Sequence, residues 1–231
     1  VIFSLVLAFY FLVLNKEKVA GLFWGIAAAF KLIPLLLLPI LFRRLNLKQT
    51  ISSYLIAGFI FIISWIPFYN ESFFGNFFNS LNLYFQTFEF NAGIYFAIRW
   101  FSSLFVDYNP IQVIGPWFSR IALILMLLLL LRKKNQTRTF FFNSLLFALS
   151  SYFLLALIVH PWYLCTLVFL AVLTEFKYPF LWSFLAFLSY FTYSQPNFQE
   201  NLLLVAMEYI LVIGFGIFEI KMLHLKRKKI H

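Results

Sequence analysis

Charged residues are scarce in this sequence. Only 11% of its 231 residues are Asp, Glu, Lys or Arg, whereas 63% are hydrophobic. A soluble domain carries roughly a quarter charged residues, so this composition excludes a water-soluble globule and indicates lipid as the main solvent. The predicted fold is an all-α, polytopic transmembrane helical bundle, in which every backbone polar group is satisfied inside helices, as lipid requires.

Acidic residues are the scarcer of the two charged classes. Eight Asp and Glu stand against 18 Lys and Arg, which gives a net charge of +10. A basic chain can bind nucleic acid, but here the basic residues lie in short clusters between apolar runs. This is the pattern of cytoplasmic loops under the positive-inside rule. We therefore expect membrane lipids, and no nucleic acid, as partners.

Cysteine is nearly absent. The single Cys165 excludes an internal disulfide and a Cys-based metal site, and its place in an apolar run predicts an ordinary buried thiol. The sequence has no Walker loop, HExxH motif or GxSxG motif, and no Asp, Glu and His cluster that argues for a metal. We expect neither a metal nor a cofactor.

Apolar runs of about 20 residues predict the membrane crossings. Basic clusters at 43–48 (RRLNLK) and 132–138 (RKKNQTR), the loop at Lys177 and the tail from Lys221 are then cytoplasmic. The segment 69–112, the turn at His160 and the loop near Pro196 are external, and 69–112 is apolar enough to lie on the membrane surface as short helices. We treat 1–231 as a single transmembrane domain with approximate crossings at 50–68, 113–131, 140–158, 162–175, 180–193 and 202–220.

The apolar stretch 19–42 does not fit this topology as a single crossing between two cytoplasmic loops. It separates the basic loop 15–18 (NKEK) from 43–48, so both loops are cytoplasmic only if 19–42 is a broken hairpin of two short helices. Pro34 follows Lys31 near the middle of the stretch and supplies a reason for a break. We prefer the hairpin, and a single crossing with 15–18 outside is the alternative.

The N-terminus lies in the middle of an apolar run. The chain starts at Val1 without the charged start or small-residue cleavage site of a signal peptide. We interpret the sequence as the C-terminal portion of a longer membrane protein.

Four cationic or protonatable groups depart from the charge pattern. A basic side chain at membrane depth costs on the order of 2.5–3.5 kcal/mol, so it is retained most readily where it meets an anion. Each also has a simpler explanation. Lys31 could snorkel or pair with an acid, and Arg120 could snorkel to the outer headgroups. Arg99 could be a surface residue of an interfacial helix, and His160 could be a helix-end histidine that binds nothing. Together they suit a phosphate or pyrophosphate headgroup at the external rim. The four are Lys31, Arg99, Arg120 and His160, of which Arg120 is the weakest candidate.

Aromatic residues accompany these groups along the chain. They fit an interfacial aromatic belt, and they also fit a surface on which a sugar ring stacks. The residues are Trp162 and Tyr163 after His160, Tyr95 and Trp100 around Arg99, and Trp117 before Arg120.

Three segments resemble those of a known family. AGLFWGIAAAFKLIPLLLLPILFRR (20–44), FNAGIYFAIRW (90–100) and VHPWYL (159–164) are similar to segments of GT-C membrane glycosyltransferases, particularly the bacterial polyprenyl-phosphate-mannose-dependent enzymes of glycosyltransferase family 87. The resemblance implies a GT-C-like bundle in the cytoplasmic (inner) membrane with its active side external or periplasmic. It implies transfer of a sugar, commonly mannose, from a polyprenyl-phosphate donor to a lipid-linked or cell-surface glycan acceptor.

The resemblance also implies roles for individual residues. Lys31, Arg99 and His160 would hold the lipid phosphate, and Asn91 and Tyr95 would shape the sugar or acceptor site. The family's general base is an Asp near the N-terminus of its members, so we expect the base of this enzyme to lie N-terminal to Val1.

Two other classes of protein remain as alternatives. A transporter or flippase of a polyprenyl-linked substrate needs a similar anion site, but it typically shows a two-fold internal repeat and a polar path across the bilayer. Neither is visible in the sequence. A non-enzymatic scaffold subunit is the third class.

Overall fold

The computed structural model describes residues 1–83, 88–195 and 198–228. In these ranges the regular structure is helical, with an isolated parallel bridge between Phe90 and Ile158 and no strand. This confirms the predicted all-α fold class. The α-helices are α1 (Ile2–Val13), α2 (Glu17–Phe30), α3 (Ile33–Leu37), α4 (Leu41–Arg44), α5 (Leu47–Ile63), α6 (Phe73–Asn82), α7 (Gly93–Ser102), α8 (Ile111–Leu130), α9 (Arg138–Leu155), α10 (Cys165–Val172), α11 (Tyr178–Leu185) and α12 (Leu202–Lys228).

Long apolar helices confirm the polytopic character of the chain. Within the described ranges, four helices are long and apolar enough to cross a membrane. They correspond to the predicted crossings at 50–68, 113–131, 140–158 and 202–220. Their bounds are Leu47–Phe68, Ile111–Leu130, Arg138–Leu155 and Leu202–Lys226.

The apolar runs at 162–175 and 180–193 form shorter α-helices than the other predicted crossings, and their crossing of a membrane stays a prediction. Each contains an α-helix of 8 residues, α10 and α11, which is shorter than the ~20 residues of an α-helical crossing. α11 continues directly into a 3-10 helix, Ala186–Ser194. A 3-10 helix rises about 2.0 Å per residue against 1.5 Å for an α-helix, so α11 and this extension together measure about 30 Å.

Two compact units divide the chain. Unit 1 comprises Val1–Ser80 and Leu123–Leu149, and unit 2 comprises Leu81–Ala122 and Ser150–His231. α8 and α9 therefore each contribute residues to both units.

Two glycines bring α2 against α5 in unit 1. A Cβ on Gly21 would lie 2.6 Å from the Ser53 carbonyl oxygen, and one on Gly25 would lie 2.6 Å from that of Ala57. The Ser53 hydroxyl donates to the Glu17 carbonyl oxygen at 2.8 Å. Small residues spaced four apart let two helix backbones approach closely, which is a common way to pack helices in lipid.

The predicted break in 19–42 is present at Lys31. α2 ends at Phe30, and Lys31 has extended backbone angles (φ −154°, ψ 142°), so a continuous helix over 19–42 is excluded. Pro34 lies in the first turn of α3, and its carbonyl oxygen accepts a hydrogen bond from Trp24 Nε1 of α2 at 2.8 Å. The chain thus turns back along α2. Its re-entry into a membrane stays a prediction.

The two basic loops 43–48 and 132–138 contact each other in unit 1. Arg43 Nε donates to the Leu131 carbonyl oxygen at 2.6 Å, and Arg44 Nη1 donates to that of Gln136 at 3.1 Å. Asn135 is buried, and its amide donates to two carbonyl oxygens at the end of α8. Both basic loops therefore lie at one end of unit 1, as a shared cytoplasmic side requires.

Three other expectations, for Cys165, for the segment 69–112 and for the loop near Pro196, have different outcomes. Cys165 is exposed, so the expectation of a buried thiol is wrong; an apolar neighbourhood in the sequence does not distinguish a core position from a lipid-facing one. The segment 69–112 contains the short helices α6 and α7, and its place at the membrane surface stays a prediction. Pro196 lies outside the described residues.

The α2–α5 contact predicts a stability effect. Gly21→Ala should lower the melting temperature in detergent, because the added Cβ meets backbone and overpacking typically costs ~1–3 kcal/mol. Gly58→Ala on α5 is the matched control, since a Cβ there meets nothing within 4 Å and Ala favours the helix. An unchanged melting temperature for Gly21→Ala would contradict the close packing.

Candidate functional site

Asn91 is the centre of a buried polar network in unit 2. Its φ of 51° lies in the left-handed region, which Asn tolerates better than most residues. Its backbone N–H donates to Glu200 Oε1 at 2.8 Å, and its side-chain amide donates to Glu208 Oε1 at 3.1 Å and to the Val159 carbonyl oxygen at 3.4 Å. Its carbonyl oxygen accepts from the Tyr209 hydroxyl at 2.7 Å. Asn91 thus joins three distant parts of the sequence.

A short parallel bridge fixes the chain next to Asn91. The Phe90 N–H donates to the Leu157 carbonyl oxygen at 2.9 Å, and the Val159 N–H donates to the Phe90 carbonyl oxygen at 2.8 Å. The bridge satisfies backbone groups of two buried segments that are not helical. It also sets the position of His160, the next residue after Val159.

Glu208 lies inside α12 and is fully buried. Its Oε1 accepts hydrogen bonds from the Asn91 amide and, at 2.9 Å, from Trp182 Nε1. Within the described part of the chain, no donor lies within hydrogen-bonding distance of Glu208 Oε2 or of Asn91 Oδ1. A buried carboxyl needs donors, a cation or a proton, so this arrangement is polar but incompletely satisfied.

Arg99 is paired with an acid of its own chain. It projects from α7, forms an ion pair with Glu89, and lies over the Phe96 ring at 4.8 Å. Burial lowers the pKa of the Arg99 guanidinium, whereas the charge of Glu200 raises it. Arg99 therefore lies in the field of two carboxyls, Glu89 and Glu200.

Tyr95 is buried beside this ion pair. Its hydroxyl donates to Asn109 Oδ1, and the Asn109 amide donates to Glu89 Oε2 at 3.5 Å. Burial raises the pKa of Tyr95 to about 12, so the hydroxyl keeps its proton at neutral pH. Tyr95 thus supports the position of Glu89 through Asn109.

His160 lies among aromatic rings. Its ring is 4.6 Å from that of Phe90, centroid to centroid. It stacks on Trp162 at 4.3 Å with an angle of 11°, and Tyr163 meets it edge-on at 5.3 Å. Arg99 and His160 therefore flank the same short segment, Arg99 through Glu89 and His160 through Phe90.

Glu200 precedes α12 and is only partly buried. Burial raises its pKa to about 7, while the Asn91 N–H and the charge of Arg99 act to lower it. Its Oε1 accepts from Asn91, and no donor in the described ranges reaches its buried Oε2. Glu200 is thus a carboxyl that titrates near neutral pH beside an arginine.

The structure brings most of the predicted site residues into one unit. Lys31 belongs to unit 1, where it is half-buried at the helix break, and its convergence with Arg99 and His160 stays a prediction. Arg120 belongs to unit 2, where it is exposed on α8 and lies over the Trp117 ring at 5.0 Å. The predicted site residues that belong to unit 2 together with Asn91 are Tyr95, Arg99, Arg120, His160, Trp162 and Tyr163.

An apolar groove runs between α7 and α12 in unit 2. It has a volume of about 850 Å³, and its lining includes Phe96, Trp100 and Val205. At Gly93 a Cβ would lie 2.3 Å from the Tyr209 ring, so only glycine permits the Tyr209 ring to pack this closely against the start of α7. The groove and the polar network therefore share Tyr209.

Comparison with known proteins identifies the family. Residues 1–161 match the model of glycosyltransferase family 87. The chain belongs to glycosyltransferase family 87. It is accordingly a membrane glycosyltransferase, and the resemblance stated from the sequence is confirmed. Searches among curated proteins and among solved structures found no match.

The matched range shows which site residues belong to the family segment. It includes Lys31, Asn91 and Arg99 and ends just after His160, whereas Glu200 and Glu208 lie beyond it. The sequence reasoning missed both glutamates and Glu89 because it applied the cost of a charge at membrane depth to basic residues only. The same rule applied to acids selects Glu208, which stands in the apolar run LLLVAMEYILV (202–212).

The environment of Glu200 predicts a pH-dependent stability. An acid whose pKa is higher in the folded state binds more protons there than in the unfolded state, so stability falls as pH rises from about 4.5 to about 7. Glu200→Gln removes this loss and should raise the melting temperature at pH 8 more than at pH 5, by an amount equivalent to at most ~3 kcal/mol.

The control is Asp107→Asn, which removes an equal charge from an exposed position of the same unit. It should change the melting temperature equally little at both pH values. Equal behaviour of the two variants would show that Glu200 does not titrate in this window.

Proposed function

We propose that this family 87 glycosyltransferase moves a sugar, with mannose as the first candidate, from a polyprenyl-phosphate donor to a lipid-linked or cell-surface glycan acceptor. We place the reaction at the external face of the cytoplasmic membrane. The family match over residues 1–161 carries the proposal. The arginine and histidine on either side of the 89–91 segment support it.

The reaction needs stabilisation of a leaving phosphate. Negative charge grows on the phosphate oxygens as the bond to the anomeric carbon breaks, and fixed cations in a site of low dielectric stabilise that charge as it develops. We assign this role to Arg99, with Lys31 and His160 as further contributors. On this proposal the aromatic pair Trp162 and Tyr163 provides the surface for the sugar ring.

The two sides of the membrane follow from the charge pattern. Loops 43–48 and 132–138 share one end of unit 1 and carry most of the basic residues outside the tail, which supports a cytoplasmic location. The segment 69–112 then faces outward with Arg99. This orientation places the anion-binding residues on the external side.

Cysteine labelling tests this orientation. We expect an impermeant thiol reagent to label Asp107→Cys in intact cells and to label Lys133→Cys only after lysis, since both positions are exposed. Cys165 is exposed and must first be replaced by Ala. Asn135 is unsuitable as a labelling position because its buried side chain holds the turn. Labelling of Lys133→Cys in intact cells would contradict the cytoplasmic location of loop 132–138.

A transfer assay tests the reaction. Membranes that contain the enzyme should move radiolabelled mannose from its polyprenyl-phosphate carrier to an acceptor, and Arg99→Ala should reduce transfer ~10²-fold or more, as loss of one preorganised charge donor does. Arg132→Ala, an exposed position in loop 132–138, is the control and should leave transfer unchanged.

Size-exclusion chromatography in detergent would establish that each variant is folded. Movement of the carrier across the membrane without transfer of label would favour a flippase. Full transfer by Arg99→Ala would show that Arg99 does not stabilise the leaving phosphate.

A further inference from the structure

The charges around Asn91 do not favour an incoming anion. Three carboxyls, Glu89, Glu200 and Glu208, lie in this network, and Arg99 is the guanidinium among them. Arg99 is ion-paired with Glu89 and also lies in the field of Glu200. If all three carboxyls are ionised, a phosphodiester approaching Arg99 meets a net negative site. Loss of charge on one carboxyl therefore favours anion binding at Arg99.

Glu200 is the carboxyl best placed to lose its charge. Asn91 holds its Oε1 through a backbone N–H at 2.8 Å, whereas its buried Oε2 has no donor among the described residues. A proton on Oε2 leaves the Asn91 hydrogen bond intact and turns an unsatisfied acceptor into a donor. Glu89, in contrast, is fixed by its ion pair with Arg99 and by the Asn109 amide. Glu208 also has an Oε2 without a donor among the described residues, but it is fully buried inside α12, whereas Glu200 is only partly buried and acts on Arg99 through its charge.

The groups that face Glu200 act on its charge in opposite directions: Arg99 favours the ionised carboxylate, whereas Glu208 favours the neutral carboxyl. Arg99 of α7 is its opposite charge, and Glu208 of α12 is a like charge that interacts with it. Tyr209 of α12 also interacts with Glu200 and donates its hydroxyl to Asn91. His160 is the titratable group of the 157–160 segment, and its ring packs on Phe90. Protonation of Glu200 removes the repulsion from Glu208 and ends the competition for Arg99.

We propose that Glu200 takes up one proton from solvent when a phosphodiester anion binds at Arg99, so that anion binding and proton uptake are coupled at this site. The inference rests on the proposed function, since it assumes an anionic donor at Arg99. No covalent bond other than the carboxyl O–H forms. Glu200 is a positioning residue on this proposal, because it acts on the anion through Arg99.

The coupling has a defined pH dependence. Burial brings the pKa of Glu200 to about 7, so the carboxyl is largely ionised at pH 8 in the free protein and protonated in the complex. Binding then takes up about one proton at pH 8, and the affinity falls about tenfold per pH unit above neutrality. Below about pH 6 the carboxyl is already protonated, and the dependence disappears.

Calorimetry with a short-chain donor tests the proposal. The probe is farnesyl phosphoryl mannose, a phosphodiester without an ionisation between pH 6 and pH 8, so any proton taken up binds to the protein. Titration of the detergent-solubilised enzyme in two buffers of different ionisation enthalpy gives the number of protons. We expect about one proton per bound probe at pH 8 and close to none at pH 6.

Two variants assign the proton. Glu200→Gln should take up no proton and should bind the probe at pH 8 about tenfold more tightly than the wild type, with equal affinity at pH 6 and pH 8. Asp107→Asn, the exposed carboxyl in the same unit, should keep the wild-type uptake and pH dependence. Uptake that persists in Glu200→Gln would assign the proton to another group, such as His160, and would overturn the proposal.

The outcomes separate this inference from the proposed function. Binding that requires Arg99 but takes up no proton would overturn the coupling and leave the donor site standing. Absence of binding by the wild type and by Glu200→Gln at both pH values would overturn the donor site and the coupling together. The proton count for the wild type needs no variant, so it decides the question even if Glu200→Gln does not fold.

Discussion

The burial of Asn91 is the constraint on which unit 2 depends. Its backbone N–H, its carbonyl oxygen and its amide nitrogen all lie away from water, so each must find partners inside the protein. The partners come from α12, from the segment before it and from the 157–159 segment. These hydrogen bonds of Asn91 fix α12 relative to the start of α7. The positions of Arg99 and His160 follow from that frame.

Much of the architecture could be predicted from the sequence. Apolar runs of about 20 residues gave four long helices, and Pro34 indicated the break near Lys31, because both signals are local. The family segments could be recognised for the same reason, since each is a continuous string. The structure of runs of intermediate length, such as 180–193, was harder to predict, because the type of helix that they form depends on the packing around them.

The network around Asn91 could not be predicted in full. Asn91, Arg99 and His160 stood out as single residues, but the hydrogen bonds from Asn91 to Glu200 and Glu208 join positions 109 and 117 residues apart. Neither periodicity nor charge pattern gives contacts at that separation. The sequence reasoning therefore assigned cations to an external anion, whereas the structure shows Arg99 with a carboxyl of its own chain.

The 3-10 helix Ala186–Ser194 has a geometric consequence for its side chains. With three residues per turn, positions three apart align in straight rows along the axis, whereas in an α-helix such rows wind around it. One row, Ala186, Ser189 and Thr192, is buried. Another forms a ladder of rings, with Tyr190 5.7 Å from Phe187 and 5.6 Å from Tyr193. An α-helical form of these nine residues would be about 4.5 Å shorter and would break that ladder.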